Sequence, residues 1–334
     1  MGFHEPSGGL ITIATPRRFR AVVSLAALLA CAPDSDQPVV GLQAHSFANS
    51  EWSTPVLVNV NSPFTEQTPA LSPDGLSLYF QSDRPDGLGN IDIWVAHRDC
   101  ADYAWGAPQN LGSPINGAGA DFAPNLSNDG HLVFFSSNRD GGQGGNDIWV
   151  SRRDNTDDDF AWEAPTNLGP DVNTATADQA PMYLQSAEDG SGNLYFNRGL
   201  NSLLQADIYY APVTRDGETR GPAVYVAELN VAGANDARPT VRADGREILF
   251  WSTRPGGLGA ADLWRSTRRS VHDPWSTPEN VGAPINTAAG DVTPSLSHDG
   301  RTLVFASNRQ GSTPNASGAP SFDIWISMRT PSGQ

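Results

Sequence analysis

One pattern recurs five times along this chain, and it constrains the fold more than any other feature. Each copy runs Pro, a short apolar piece, Asp-Gly, an apolar run, Arg, an irregular or Gly-rich loop, then Asp-Ile-Trp or a close variant. The marker prolines are Pro69, Pro124, Pro181, Pro239 and Pro294, spaced 55, 57, 58 and 55 residues apart. A repeat of this period is one supersecondary unit that cannot bury its apolar face alone. It must stack on its neighbours.

The unit itself predicts a four-stranded antiparallel meander. Asp74-Gly75, Asp129-Gly130, Asp189-Gly190, Asp244-Gly245 and Asp299-Gly300 sit between apolar runs. Asp-Gly there is a strong hairpin signal, because a tight primed turn needs positive φ. The run that follows is apolar on both faces, as in Leu78, Tyr79 and Phe80 or Leu303, Val304 and Phe305. Such a strand is covered by sheets on both sides. A third strand starts at Asp92, Asp147, Asp207, Asp262 or Asp323. A fourth is carried by Trp-x-x-Pro-x-Asn-Leu/Val-Gly at 105–112, 162–169 and 275–282. The third unit has a weaker fourth strand, around Ala223 to Leu229, without the Trp.

The last copy ends near Arg329, one strand short, while Trp52 to Val60 is an orphan outer strand ahead of the first copy. Pairing the two closes the ring and leaves no open edge. The expected fold class is therefore all-β: a five-bladed β-propeller of four-stranded blades over 51–329, closed by an N-terminal strand that completes the last blade. Residues 330–334 are a tail. The abundance of Gly (33) and Pro (26) suits such a turn-rich fold.

Residues 1–31 read as a signal peptide. Arg17, Arg18 and Arg20 form a basic stretch, and 21–30 is an apolar run too short to span a bilayer. It ends in Leu28-Leu29-Ala30-Cys31, which resembles the lipobox of bacterial lipoproteins. That resemblance implies lipidation of Cys31 and a lipid-anchored place in the cell envelope, at the outer membrane or periplasm. Cys100 is then expected to be a lone thiol. Residues 32–50 are polar and aperiodic and read as a flexible tether. The net charge of −16 argues against nucleic acid and against electrostatic docking on anionic lipid. The domain is expected to be a monomer, touching membrane only through its anchor.

The repeats resemble the WD-like propeller units of the TolB family and of envelope proteins that fuse such propellers to OmpA-like domains. The resemblance covers about 52–329, and five blades rather than six depart from it. It implies the fold and, with it, a non-catalytic envelope binding or scaffold propeller that recognises a protein, a peptide or a cell-wall component, without a cofactor.

Several residue sets carry candidate chemistry. Arg84 with Asp92, Arg139 with Asp147, Arg198 with Asp207, Arg254 with Asp262 and Arg309 with Asp323 read as ion pairs that tie each loop. Their recurrence in every blade marks them as structural. The in-phase aromatics Trp94, Trp149, Tyr209, Trp264 and Trp325 read as packing between blades. The Gly-rich loops precede strands, not helices, so they make no phosphate cradle. Scattered histidines exclude a zinc site, and no Gly-x-Ser-x-Gly elbow occurs.

Three residues before each marker proline stands an acid: Glu66, Asp121, Asp178, Asp236 and Asp291. First strands line a propeller channel, so these five are expected to ring its mouth. Each accepts backbone N–H bonds in its own turn, or together they hold a cation, Ca2+ above all, or a cationic ligand. The alternative function is a glycosidase-like enzyme using these carboxylates, since five-bladed propellers host glycosidases, with Glu66 as the odd member. Symmetry breaks at two loops. Leu200, Leu203 and Leu204 form a candidate partner patch in the third unit, and 310–321 is a longer loop in the fifth.

Overall fold

A computed structural model describes residues 1–2, 51–186, 189–199 and 205–330. The described residues contain no helix; they form five four-stranded antiparallel sheets. The signal peptide, the tether, Cys31 and the loop with Leu200, Leu203 and Leu204 lie outside the described residues.

The first blade pairs Glu66–Leu71, Ser77–Ser82, Asp92–His97 and Gln109–Asn110 in sequence order. The second, third and fourth blades repeat this order. The last blade is completed from the other end of the chain. Val56 and Leu57 pair with Ile326 and Trp325, so the orphan strand closes the ring as expected. Val58 and Val60 sink beside Leu78, Phe80 and Ile324, which joins the first and last blades through apolar contact.

The second strands are buried at every position in the first, second and fourth blades. The cores lie between blades rather than within them. Trp149 of the second blade shares a cluster with Tyr79, Ile93 and Val95 of the first, and Trp325 of the fifth packs with Leu249 and Leu263 of the fourth. The fourth strands pair over two residues only, as at Gln109–Asn110 and Val224–Tyr225.

Three details depart from the sequence expectations. The Asp-Gly turns are not primed, because only the glycine has positive φ (Gly75 71°, Gly130 74°). A primed type I′ turn would need it at both central residues. Instead Asp74 accepts hydrogen bonds from the Ser72 hydroxyl and the Leu76 N–H, and the Gly75 N–H closes the loop onto the Ser72 carbonyl. Cys100 is disulfide-bonded, not a lone thiol. The third departure concerns the arginine partners and belongs to the site.

Candidate functional site

Each innermost strand opens on one ring acid and bulges two residues later. Thr68, Ala123, Ala180, Arg238 and Thr293, the residues before the marker prolines, all have φ between 49° and 57°. The ladder skips there in every blade, between Gln67 and Ala70 in the first. The skip turns the strand so that these residues and the prolines line the central channel.

The ring acids themselves do not face the channel cavity. Glu66, Asp178, Asp236 and Asp291 have no solvent exposure, and Asp121 has 1%. One oxygen of each takes a backbone N–H from the preceding turn: Ser62, Gly117, Thr174, Val231 and Thr287 are the donors. The other oxygen takes an arginine. Arg84 reaches Glu66 at 2.8 Å, Arg139 reaches Asp121 at 2.6 Å, and Arg198 reaches Asp178 at 2.6 Å. Arg254–Asp236 and Arg309–Asp291 are 2.5 Å each. The expected pairing of these arginines with the third-strand aspartates is thereby corrected. A partner three residues before the proline was hidden by its distance in sequence, though the second strand brings the two side by side.

The third-strand aspartates serve another purpose. Asp92 accepts from the Leu88 and Gly89 N–H groups and from Asn110 Nδ2, so the Gly-rich loop wraps its carboxylate. Asp147 and Asp262 do the same with Gln143 and Leu258. Above each pair the arginine lies over an aromatic ring: Arg84 over Trp94 at 5.2 Å, Arg198 over Tyr209 at 4.6 Å.

Sequence reasoning missed one five-fold set. Asn61, Asn116, Asn173, Asn230 and Asn286 each clamp both backbone polar groups of one third-strand residue, such as Ile93 N–H and C=O at 2.9 Å for Asn116. The signal was an apolar-Asn or Asn-only position five or six residues before each ring acid.

Burial pushes the Glu66 carboxyl up, against the hydrogen bonds from Ser62 and the charge of Arg84. It pushes Asp178 up likewise, against Thr174 and Arg198. A raised carboxyl is what a general acid needs, but neither of these reaches a substrate-sized space. Among the described residues no group of three or more His, Cys, Asp and Glu is placed to hold a metal ion.

The channel waist is a cavity of about 40 Å³, lined by the five bulge residues and the prolines. Towards the Asp-Gly turns the lining passes to Asn128 and His298. There it adjoins a cavity of about 280 Å³ formed by Asn128, Asp129, Gln185, Asp189, Arg215 and His298 among others. Asp129 would be pushed up by burial, but bonds from Ser127, Gln185 and His131 outweigh that and hold it below its ordinary value. Hydrogen bonds from Ser191 hold the exposed Asp189 low.

No family model matches the chain, and no curated protein matches it. Solved structures share its fold. The α-L-arabinofuranosidase of Lactobacillus brevis aligns with a TM-score of 0.54 at 16% identity, over 81% of this chain and 92% of that one. The arabinofuranosidase of Podospora anserina solved with cellotriose gives 0.53 at 12%, over 82% and 95%. TolB of Acinetobacter baumannii gives 0.47 at 15%, over 80% and 55%, too distant to carry an argument. The chain is a five-bladed β-propeller with TolB among its structural neighbours. The expectation of a non-catalytic binding or scaffold propeller is corrected: glycoside hydrolases stand among the solved structures that share this fold above a TM-score of one-half.

Proposed function

We propose that the chain is a carbohydrate-active propeller whose working site is the cavity at the turn end of the channel. The observation that carries this reading is the convergence of Asp129, Asp189, Arg215 and His298 on one space of about 280 Å³. The solved arabinofuranosidases of the same fold lend it support. Glycoside hydrolysis needs an ionised carboxylate and a proton donor on opposite sides of one bond. Asp129, oriented by three hydrogen-bond donors and held ionised, suits the base or nucleophile. Asp189 is the second carboxylate of the cavity, and His298 is its imidazole and candidate proton donor. The ring acids are not proposed for this chemistry, because each is already held by an arginine.

The test is turnover on a panel of arabinofuranosides, xylosides and glucosides, with glycan binding measured alongside. Asp129→Asn is expected to cut turnover by about 10²-fold or more with the melting temperature retained. A panel that is neither bound nor cleaved overturns the reading; cleavage indifferent to Asp129→Asn and Asp189→Asn moves the site elsewhere.

We also propose a cell-envelope location, outside the reducing cytoplasm, from the leader and from the disulfide at Cys100. Cell fractionation with thiol labelling of Cys100 tests it. Recovery in the envelope with Cys100 oxidised supports the location, and recovery in the cytoplasm with Cys100 reduced overturns it.

A further inference from the structure

The channel waist carries one charge. Where four blades place Thr68, Ala123, Ala180 and Thr293, the fourth blade places Arg238. No Asp or Glu lines this cavity. Among the described residues Arg238 is in no ion pair, and its Nη1 is buried without a hydrogen-bond partner. Its nearest aromatic support is the Phe122 ring, with the centroid 6.0 Å from the guanidinium carbon. That contrasts with the arginines of the ring, each of which has a carboxylate.

A second orphan donor stands beside it. Asn197 has no solvent exposure, and its Oδ1 accepts the Arg238 backbone N–H at 3.2 Å. Its Nδ2 is buried with no partner. Two buried donors at the junction of the third and fourth blades both lack an acceptor. Arg238 is half-buried, but a charged donor such as its Nη1, cut off from water without an acceptor, is costly, and an oxyanion is a group that satisfies it. Burial lowers the guanidinium pKa to about 10, which leaves it charged at neutral pH.

Size then selects the ligand. About 40 Å³ holds a few waters or one small oxyanion, and not a sugar ring. Hydroxyls around the waist are partly committed already: Thr293 Oγ1 accepts from the Thr68 N–H, and Thr240 Oγ1 from the Leu296 N–H. The geometry points to Arg238, with Asn197 behind it, as a binding site for a single carboxylate, either a small free acid or the acid group of a larger molecule that stays outside the waist. This inference goes beyond the glycan reading and does not depend on it.

Calorimetry on the full chain in low-salt buffer tests it, with acetate, glucuronate and neutral glucose as probes. Acetate and glucuronate are expected to bind and glucose not to. Arg238→Gln is expected to weaken both acids by about tenfold or more, the loss of a charge-assisted hydrogen bond. Arg238→Lys keeps the charge and is expected to retain part of the affinity, which separates charge recognition from a folding defect. A glucuronate-bearing oligosaccharide that binds well above acetate assigns the carboxylate to a glycan; equal affinities assign it to small acids. No acid binding to the wild type, or equal binding to Arg238→Gln, overturns the inference, as does inorganic phosphate binding more tightly than either acid. Acid binding with the neutral glycoside panel neither bound nor cleaved sinks the proposed function and leaves this site standing; glycoside turnover without acid binding does the reverse.

Discussion

At Glu247 a single carboxylate with 1% exposure faces three guanidinium groups. Arg329 of the fifth blade holds it through two hydrogen bonds, at 2.9 and 2.6 Å. Arg242 lies at 3.2 Å, and Arg265 Nε at 2.7 Å but off the hydrogen-bond line. Burial alone would push this carboxyl up; Arg329 first, then Arg265 and Arg242, outweigh it and hold it below the ordinary value. A depressed folded pKa contributes stability that is complete above the unfolded pKa of about 4.3 and is lost as pH falls through the folded value. Glu247→Gln leaves two buried cations, Arg242 and Arg329, and the half-buried Arg265 facing a neutral amide. It is expected to lower stability at pH 7 by about 3 kcal/mol. It is also expected to flatten the acid limb of the stability curve, because the group that releases protons on folding has gone. Urea unfolding at pH 7 and pH 4 checks both. An unchanged acid limb would show that folding does not shift the Glu247 pKa.

At the scale of the element, the blade's irregular piece is the loop between its second and third strands, and the third-strand aspartate organises it. The loop passes so close that a Cβ on Gly142 would stand 2.2 Å from Asp147 Oδ2, and one on Gly87 would stand 2.1 Å from Asp92 Oδ2. These glycines are required by close approach rather than by φ. Gly142→Ala is therefore expected to cost about 1–3 kcal/mol through displaced loop backbone. Gly112→Ala, with φ 63° and open space around its Cβ, is expected to cost about 1–2 kcal/mol through backbone strain alone. Coupling with Asp147→Ala, which removes the clashing atoms, distinguishes them: the Gly142 cost shrinks in that background, and the Gly112 cost does not. The strands and the positions of the Asp-Gly turns were legible in sequence, because apolar runs bounded by turn residues are local signals, and the clasp was legible because the repeat leaves one strand over at one end and one missing at the other. The arginine partners were not legible. Arg139 and Asp121 are 18 residues apart, and both Asp121 and Asp147 fit a charge argument until the register of the second strand is known. Asp129 and His298 were equally hidden. Asp129 read as ordinary turn chemistry and His298 as one of the scattered histidines, and only the closing of the ring brings the second, third and fifth blades' turns to one space.

For the whole molecule, the ring is a closed cycle of interfaces, and the clasp is the one place where it is sealed by chain ends distant in sequence. Val56 and Leu57 supply two paired positions, yet the segment does more than pair. Trp52 lies under Arg329 at 4.3 Å, the Val58 N–H donates to the Ile324 carbonyl at 3.0 Å, and Ser53 exchanges hydrogen bonds with Ser327 and Met328. Val58 and Val60 are 5% and 2% exposed against the first blade. Deleting 51–60 would therefore bare Asp323–Met328 as an edge strand and also open the first-to-last blade core. An unpaired edge beside exposed apolar surface templates association. The expected outcome is one cooperative transition at a lower melting temperature, with concentration-dependent aggregation, rather than local fraying of the last blade. Calorimetry at two protein concentrations, with hydrogen exchange read in the second and third blades, checks it. Protection lost in those remote blades shows a ring that stands or falls as a unit. Protection lost only in the first and fifth would show that the interior interfaces hold without closure.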